Sequence, residues 1–150
     1  PARIALKFAE LGLDPIGYYT VYDFWNEKYR GIAQGALDIE VPPGGVRLLG
    51  LRAYEGHPML IASDRHISQG AMDHTALGWD EASKTLTGTF TAVADADYAL
   101  HVLVPEPYVF NEAATVAGPI QATLEDRVAV LRLHTAAEGP VTWSVTATQQ

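Results

Sequence analysis

Residues 18–51 read YYTVYDFWNEKYRGIAQGALDIEVPPGGVRLLGL, and their pattern decides the fold class. Residues 18–25 concentrate aromatic and β-branched side chains, which pack well on a pleated surface. Their alternation sets Tyr18, Thr20, Tyr22 and Phe24 on one face and Tyr19, Val21, Asp23 and Trp25 on the other, as in an internal strand with a core Trp25. The charged run 26–31 reads as a loop or hairpin turn. Residues 34–41 carry the clearest period of two, with Gly35, Leu37, Ile39 and Val41 inward and Gln34, Ala36, Asp38 and Glu40 in water. Pro42-Pro43-Gly44-Gly45 can continue neither neighbouring strand, so the chain reverses there and returns as 46–51.

The same punctuation continues outward. Residues 3–8 form a short strand before the turn Leu11-Gly12-Leu13-Asp14-Pro15, and residues 52–58 mark a lobe boundary. Beyond it, 59–63, 71–79, 85–93, 98–104, 120–124, 128–133 and 141–148 read as strands. Residues 64–70 make a polar connection. Thr85, Thr87, Thr89 and Thr91 share one exposed, hydroxylated face; Tyr98, Leu100, Val102 and Val104 share an inward one. Residues 108–119 are the least patterned piece, with a single helical turn at Asn111-Glu112-Ala113-Ala114. Nowhere do apolar residues recur at i, i+3, i+4 and i+7 over a full helical window. Roughly ten short strands at such spacing predict an all-β chain, an antiparallel β-sandwich of two small packed β-lobes, 1–53 and 54–150.

Composition excludes several functions. A chain of 150 residues, 48% hydrophobic and 19% charged, is globular and large enough for a core without staples. No apolar run reaches the roughly 18 residues of a membrane helix, which predicts a soluble protein; the compartment, periplasmic or secreted among others, stays open. Zero cysteines remove disulfides, thiolate nucleophiles and cysteine-ligated metals. A net charge of −8, with no block of Lys or Arg, argues against nucleic acid and anionic membrane as partners. The opening Pro1-Ala2-Arg3 lacks Met and a signal peptide, so the chain reads as a piece of a longer polypeptide.

Four residue sets could carry chemistry. His57, Asp64, His66, Asp73 and His74 are metal-competent donors in a short window, but their spacing matches no standard zinc pattern, and Asp73 and His74 face opposite ways on a strand unless a bulge intervenes. Loop hydrogen bonding is the reading preferred, with no metal and no cofactor. Asp23, Asp64, Asp95, Asp97, Glu125 and Asp126 offer nominal carboxylate pairs for a glycosidase, yet turn formation accounts for most of them. Ser63, Ser68, Ser83 and Ser144 lack any nucleophile motif. Finally, Tyr29, Tyr54, Trp79 and Tyr108 lie at or near strand ends, where rings can meet a sugar face or another domain; Trp143 aligns with Val141 and Val145 as core.

Asp23-Phe24-Trp25, a Gly at 31 or 35, Val41-Pro42-Pro43 and then Val46-Arg47-Leu48-Leu49-Gly50-Leu51 with Arg52 resemble the C-terminal β-sandwich domain of α-galactosidases and related melibiase-like glycoside hydrolases. Ile4-Ala5-Leu6-Lys7-Phe8 with Leu11-Gly12-Leu13 is similar to the opening of that domain. The resemblance covers the first third of the chain well and the rest loosely. It implies a domain without catalytic residues, because the family's carboxylates belong to the preceding (β/α)₈ barrel. The expectation is a non-enzymatic accessory domain that stabilises such a barrel, its missing N-terminal partner. The competing expectation, from a different class, is a carbohydrate-binding module in the second lobe that uses exposed aromatics.

Overall fold

The computed structural model describes residues 1–65 and 73–150, and these form two compact units, Pro1–Glu55 and Gly56–Gln150. The sequence reading drew its boundary between residues 53 and 54. The all-β expectation holds: the described residues form antiparallel strands, and their helical content is confined to two single 3-10 turns.

The first unit holds a two-stranded sheet and a three-stranded sheet. Strand β1 (Ala2–Lys7) pairs with β4 (Ala36–Val41), in register from Ala2 opposite Val41 to Lys7 opposite Ala36. Strand β2 (Tyr18–Asp23) lies between β3 (Lys28–Gln34) and β5 (Leu49–Ala53). Phe8, fully buried in the turn Phe8–Leu11, meets Tyr19 edge-on at 5.2 Å and donates its backbone N–H to Gly35 C=O at 2.9 Å.

Three expectations are corrected here. The strand that begins at Tyr18 stops at Asp23, because Phe24–Asn26 winds into a 3-10 turn; Trp25 leaves the alternation and is 57% exposed rather than core. The chain then needs no long loop, and β3 starts at Lys28 inside the run read as one. Val46 is exposed, and the return strand begins only at Leu49.

The second unit is a β-sandwich. One sheet has the order β10 (Tyr108–Thr115), β13 (Gly139–Gln149), β8 (Thr85–Ala92), β7 (His74–Asp80). The other runs β11 (Ile120–Glu125), β12 (Val128–Thr135), β9 (Ala96–Leu103), β6 (Met59–Ser63). Alternation along β8 buries Leu86, Phe90 and Ala92 and turns Thr85, Thr87, Thr89 and Thr91 outward, where Thr89 and Thr142 share a hydroxyl hydrogen bond of 2.9 Å. Trp143, Val145, Tyr98, Leu100, Val102, Ala129 and Leu131 are among the residues that pack with Leu86, Phe90 and Ala92 in the core. At roughly 1.5–3 kcal/mol for each fully buried large apolar side chain, this layer is the main stabilising term of the unit. The helical turn expected at 111–114 is instead strand β10, with a register shift between Phe110 and Glu112. That bulge keeps Phe110 and Ala113 opposite the inward Ala147 and Val145, although a regular alternation would put positions 110 and 113 on opposite faces.

Candidate functional site

The residues predicted to matter are dispersed. Tyr29 and Tyr54 belong to the first unit and are half-buried; burial pushes the Tyr29 hydroxyl up from its ordinary value, and the nearby Tyr54 adds to the shift. Trp79 and Tyr108 belong to the second unit and meet edge-on at 5.4 Å with an interplanar angle of 82°. The exposure expected of Tyr108 is not found: it is part of the core at 5% exposure, because it shares a face of β10 with Phe110, opposite the inward Ala147. Trp79 is half-buried, and His57 stacks on one of its faces at 5.2 Å and 7°. Its indole N–H donates to Glu81 at 2.7 Å, and Glu81 also pairs with Lys84. These two hydrogen bonds, Lys84 first and Trp79 second, hold the Glu81 carboxyl below its usual value. The pair is thus a packed, hydrogen-bonded corner rather than a flat platform.

The donors considered for a metal also separate. His57 donates from Nδ1 to Pro58 C=O at 2.8 Å while it covers Trp79, and Asp64 lies past the end of β6. His66 falls outside the described residues. Among the described residues no group of three or more His, Asp or Glu side chains is gathered as a metal would require. His74 goes to the interior. A register shift between His74 and Ala76 makes Thr75 the extra residue of a bulge, so His74 stands opposite inward-facing Phe90 while Ala76 stands opposite outward-facing Thr89. There Trp143 Nε1–H donates to His74 Nε2 at 3.0 Å, which fixes the imidazole proton on Nδ1, 3.8 Å from Asp73 Oδ1.

In the first unit, Asp23, Phe24, Arg47 and Leu48 come together. Asp23 is fully buried at the end of β2 and accepts hydrogen bonds from Asn26 Nδ2 and Arg30 Nη2, both at 2.7 Å; Arg47 Nη1 lies 3.6 Å away. Beside it, Phe24 N–H donates to Leu48 C=O at 2.9 Å. Arg30 is the extra residue of a β2–β3 bulge, and Gly31 next to it has φ +98°, a conformation that a side chain would strain. Burial alone would raise the Asp23 carboxyl; the hydrogen bonds from Asn26 and Arg30 and the charges of Arg30 and Arg47 outweigh it and leave the group below its usual value. The carboxylate is held ionised and occupied. It has the environment of a structural clasp.

No family model, curated protein or solved structure matches the chain.

One concavity of the second unit went unread in the sequence. It is an open groove of about 560 Å³ whose polar lining includes Asp64, Asp97, Gln121, Arg132 and His134, with Ala99 among the small residues between them. The ladders explain the grouping: Gln121 stands opposite Arg132, Arg132 opposite Ala99, and His134 opposite Asp97. His134 Nδ1 is 2.9 Å from Asp97 Oδ1, and its Nε2 is 3.5 Å from Asp95 Oδ1. Burial pushes the Asp64 carboxyl up, against the opposing charge of Arg65. Asp95 and Asp97 read in the sequence as flanking a turn, and the strand read over 128–133 stops short of His134. Only the cross-strand register, invisible locally, brings them together.

Proposed function

We propose that the chain is a non-catalytic, all-β accessory domain of an α-galactosidase-like glycoside hydrolase, with the task of packing against and stabilising a catalytic (β/α)₈ barrel. The observation that carries this reading is the clasp around Asp23. Asp23-Phe24, Arg47 and Leu48, all within the stretch that resembles the family, close on one another at the end of the β2–β5 pair. Their agreement with the family's short pattern therefore concerns one folded element rather than scattered matches. The role it supports is structural, since the carboxylate is fully buried and engaged by Asn26 and Arg30, with no surface open to a substrate. Trp25, exposed next to this clasp and edge-on to Phe24 at 4.9 Å, supplies apolar surface of the kind a neighbouring domain covers.

Sequencing the gene upstream of the codon for Pro1 tests the reading. An open frame encoding a (β/α)₈ barrel with two facing carboxylates is the expected result. A start codon at that point, or an upstream domain of another class, would overturn it.

A further inference from the structure

We propose that the groove on the second unit binds a neutral pyranose through its hydroxyl groups, a site independent of the accessory role proposed above. The size fits, because about 560 Å³ lies within the roughly 300–1,000 Å³ typical of small-molecule sites. The chemistry of the lining selects the ligand class. Arg132 and Gln121 face each other across β11 and β12, and among the described residues neither side chain makes a hydrogen bond or ion pair within the protein. They offer planar, fork-shaped donors and an amide acceptor to an incoming group. Opposite them Asp64 and Asp97 offer acceptors, and His134 is oriented by its hydrogen bond to Asp97.

A set that mixes a donor-only guanidinium with acceptor-only carboxylates suits a ligand whose every polar group both donates and accepts. Vicinal hydroxyls do so, and each adjacent pair can bridge a carboxylate or a guanidinium. A phosphate or carboxylate ligand fits worse: one arginine faces Asp64 and Asp97 within the lining, on a chain of net charge −8. A bare cation fits worse still, since the described residues gather no set of three ligating side chains. Small Ala99, Ala117 and Ala136 leave the room that a ring needs. Among the described residues no ring lies open on the groove surface for the stacking that tightens most sugar sites, since Tyr98 is buried and Arg65 lies over its ring at 4.1 Å. Millimolar affinity follows from hydrogen bonds of about 1 kcal/mol net each.

The ¹⁵N-labelled full chain titrated with methyl α-D-galactopyranoside, methyl β-D-glucopyranoside and methyl α-D-mannopyranoside at millimolar concentrations tests the proposal. Saturating amide shifts at Asp97, Ala99, Gln121, Arg132 and His134 with at least one glycoside are expected. Arg132→Gln, an exposed position, should keep the dispersed spectrum and weaken that binding roughly tenfold, the worth of one charge-assisted hydrogen bond. The proposal is overturned by an absence of saturation with all three, by shifts centred on Trp79 and Tyr108 instead, or by an unaltered affinity in Arg132→Gln. Salt-sensitive binding of glucuronate that exceeds every neutral glycoside would also overturn it, in favour of an anion site. None of these outcomes bears on what lies upstream of Pro1.

Discussion

Trp143 lies over Gly88, its direct partner on the neighbouring strand, so closely that a Cβ at position 88 would stand 2.4 Å from the indole Cζ2. The sandwich core is built around this superposition: Trp143 is 1% exposed and meets His74 edge-on at 5.7 Å, and His74 in turn lies tilted against Phe90. A residue with no side chain is required at 88 for reasons of space, since the clash is with a rigid ring that has no room to withdraw.

Gly88→Ala should therefore destabilise the second unit by about 1–3 kcal/mol, the usual range for overpacking a rigid core. Urea unfolding followed by tryptophan emission measures it. A neutral effect would mean that the ring moves freely, and Gly88→Ala combined with Trp143→Leu should recover much of the loss.

Removal of the acceptor for the buried indole N–H has a different signature. His74→Leu keeps most of the volume and leaves Trp143 Nε1–H without the nitrogen now 3.0 Å away. The expected cost is about 1–3 kcal/mol, the desolvation penalty of an unsatisfied buried donor. Near-ultraviolet circular dichroism should change with it, because the indole loses its anchor.

Asp23 makes the first unit acid-sensitive. Its carboxyl lies below the ordinary aspartate value in the folded chain, so its contribution is fully present above the unfolded-state value and is lost as pH falls through the folded one. Urea midpoints measured from neutral to acidic pH should fall for the native chain through that window. Asp23→Asn should flatten this component, and Asp23→Ala should cost about 3 kcal/mol at neutral pH by stranding the partly covered Arg30 and Arg47.

At the Trp79 corner, packing and surface charge separate. Glu81→Ala removes an exposed pairing with Lys84 and the acceptor of the indole N–H, and should cost no more than about 1 kcal/mol. Trp79→Ala removes the ring that His57 stacks on and should cost about 2–3 kcal/mol without altering glycoside binding in the groove. A loss of binding in Trp79→Ala would return the aromatic pair to candidacy as a sugar platform.

The strands were legible wherever burial alternates. Leu86, Gly88, Phe90 and Ala92 against the four threonines of β8 follow directly from a period of two, whereas on β9 the inward Tyr98, Leu100 and Val102 follow it but Ala99, His101 and Leu103 between and after them are buried as well. The misreadings cluster at bulges and tight turns. The 3-10 turn after Asp23 exposes Trp25, the Arg30 bulge extends a hairpin into a supposed loop, and the bulge after Phe110 hides the strand whose first residue, Tyr108, is core. One inserted residue reverses every later side chain, and no local pattern announces it. The candidate groove was illegible for another reason: Asp97 and His134 are 37 positions apart, and only strand pairing makes them neighbours. The Asp23 clasp was half visible, as a charge at a strand end, whereas its arginine partners required the bulge and the return of the chain at Arg47.

The most direct test of a non-catalytic role is turnover of aryl α-galactosides by the purified chain alone. The account predicts release of aryl alcohol no faster than with buffer, across acidic to neutral pH. Saturable hydrolysis that survives repurification and disappears in Asp64→Asn or Asp97→Asn would contradict it.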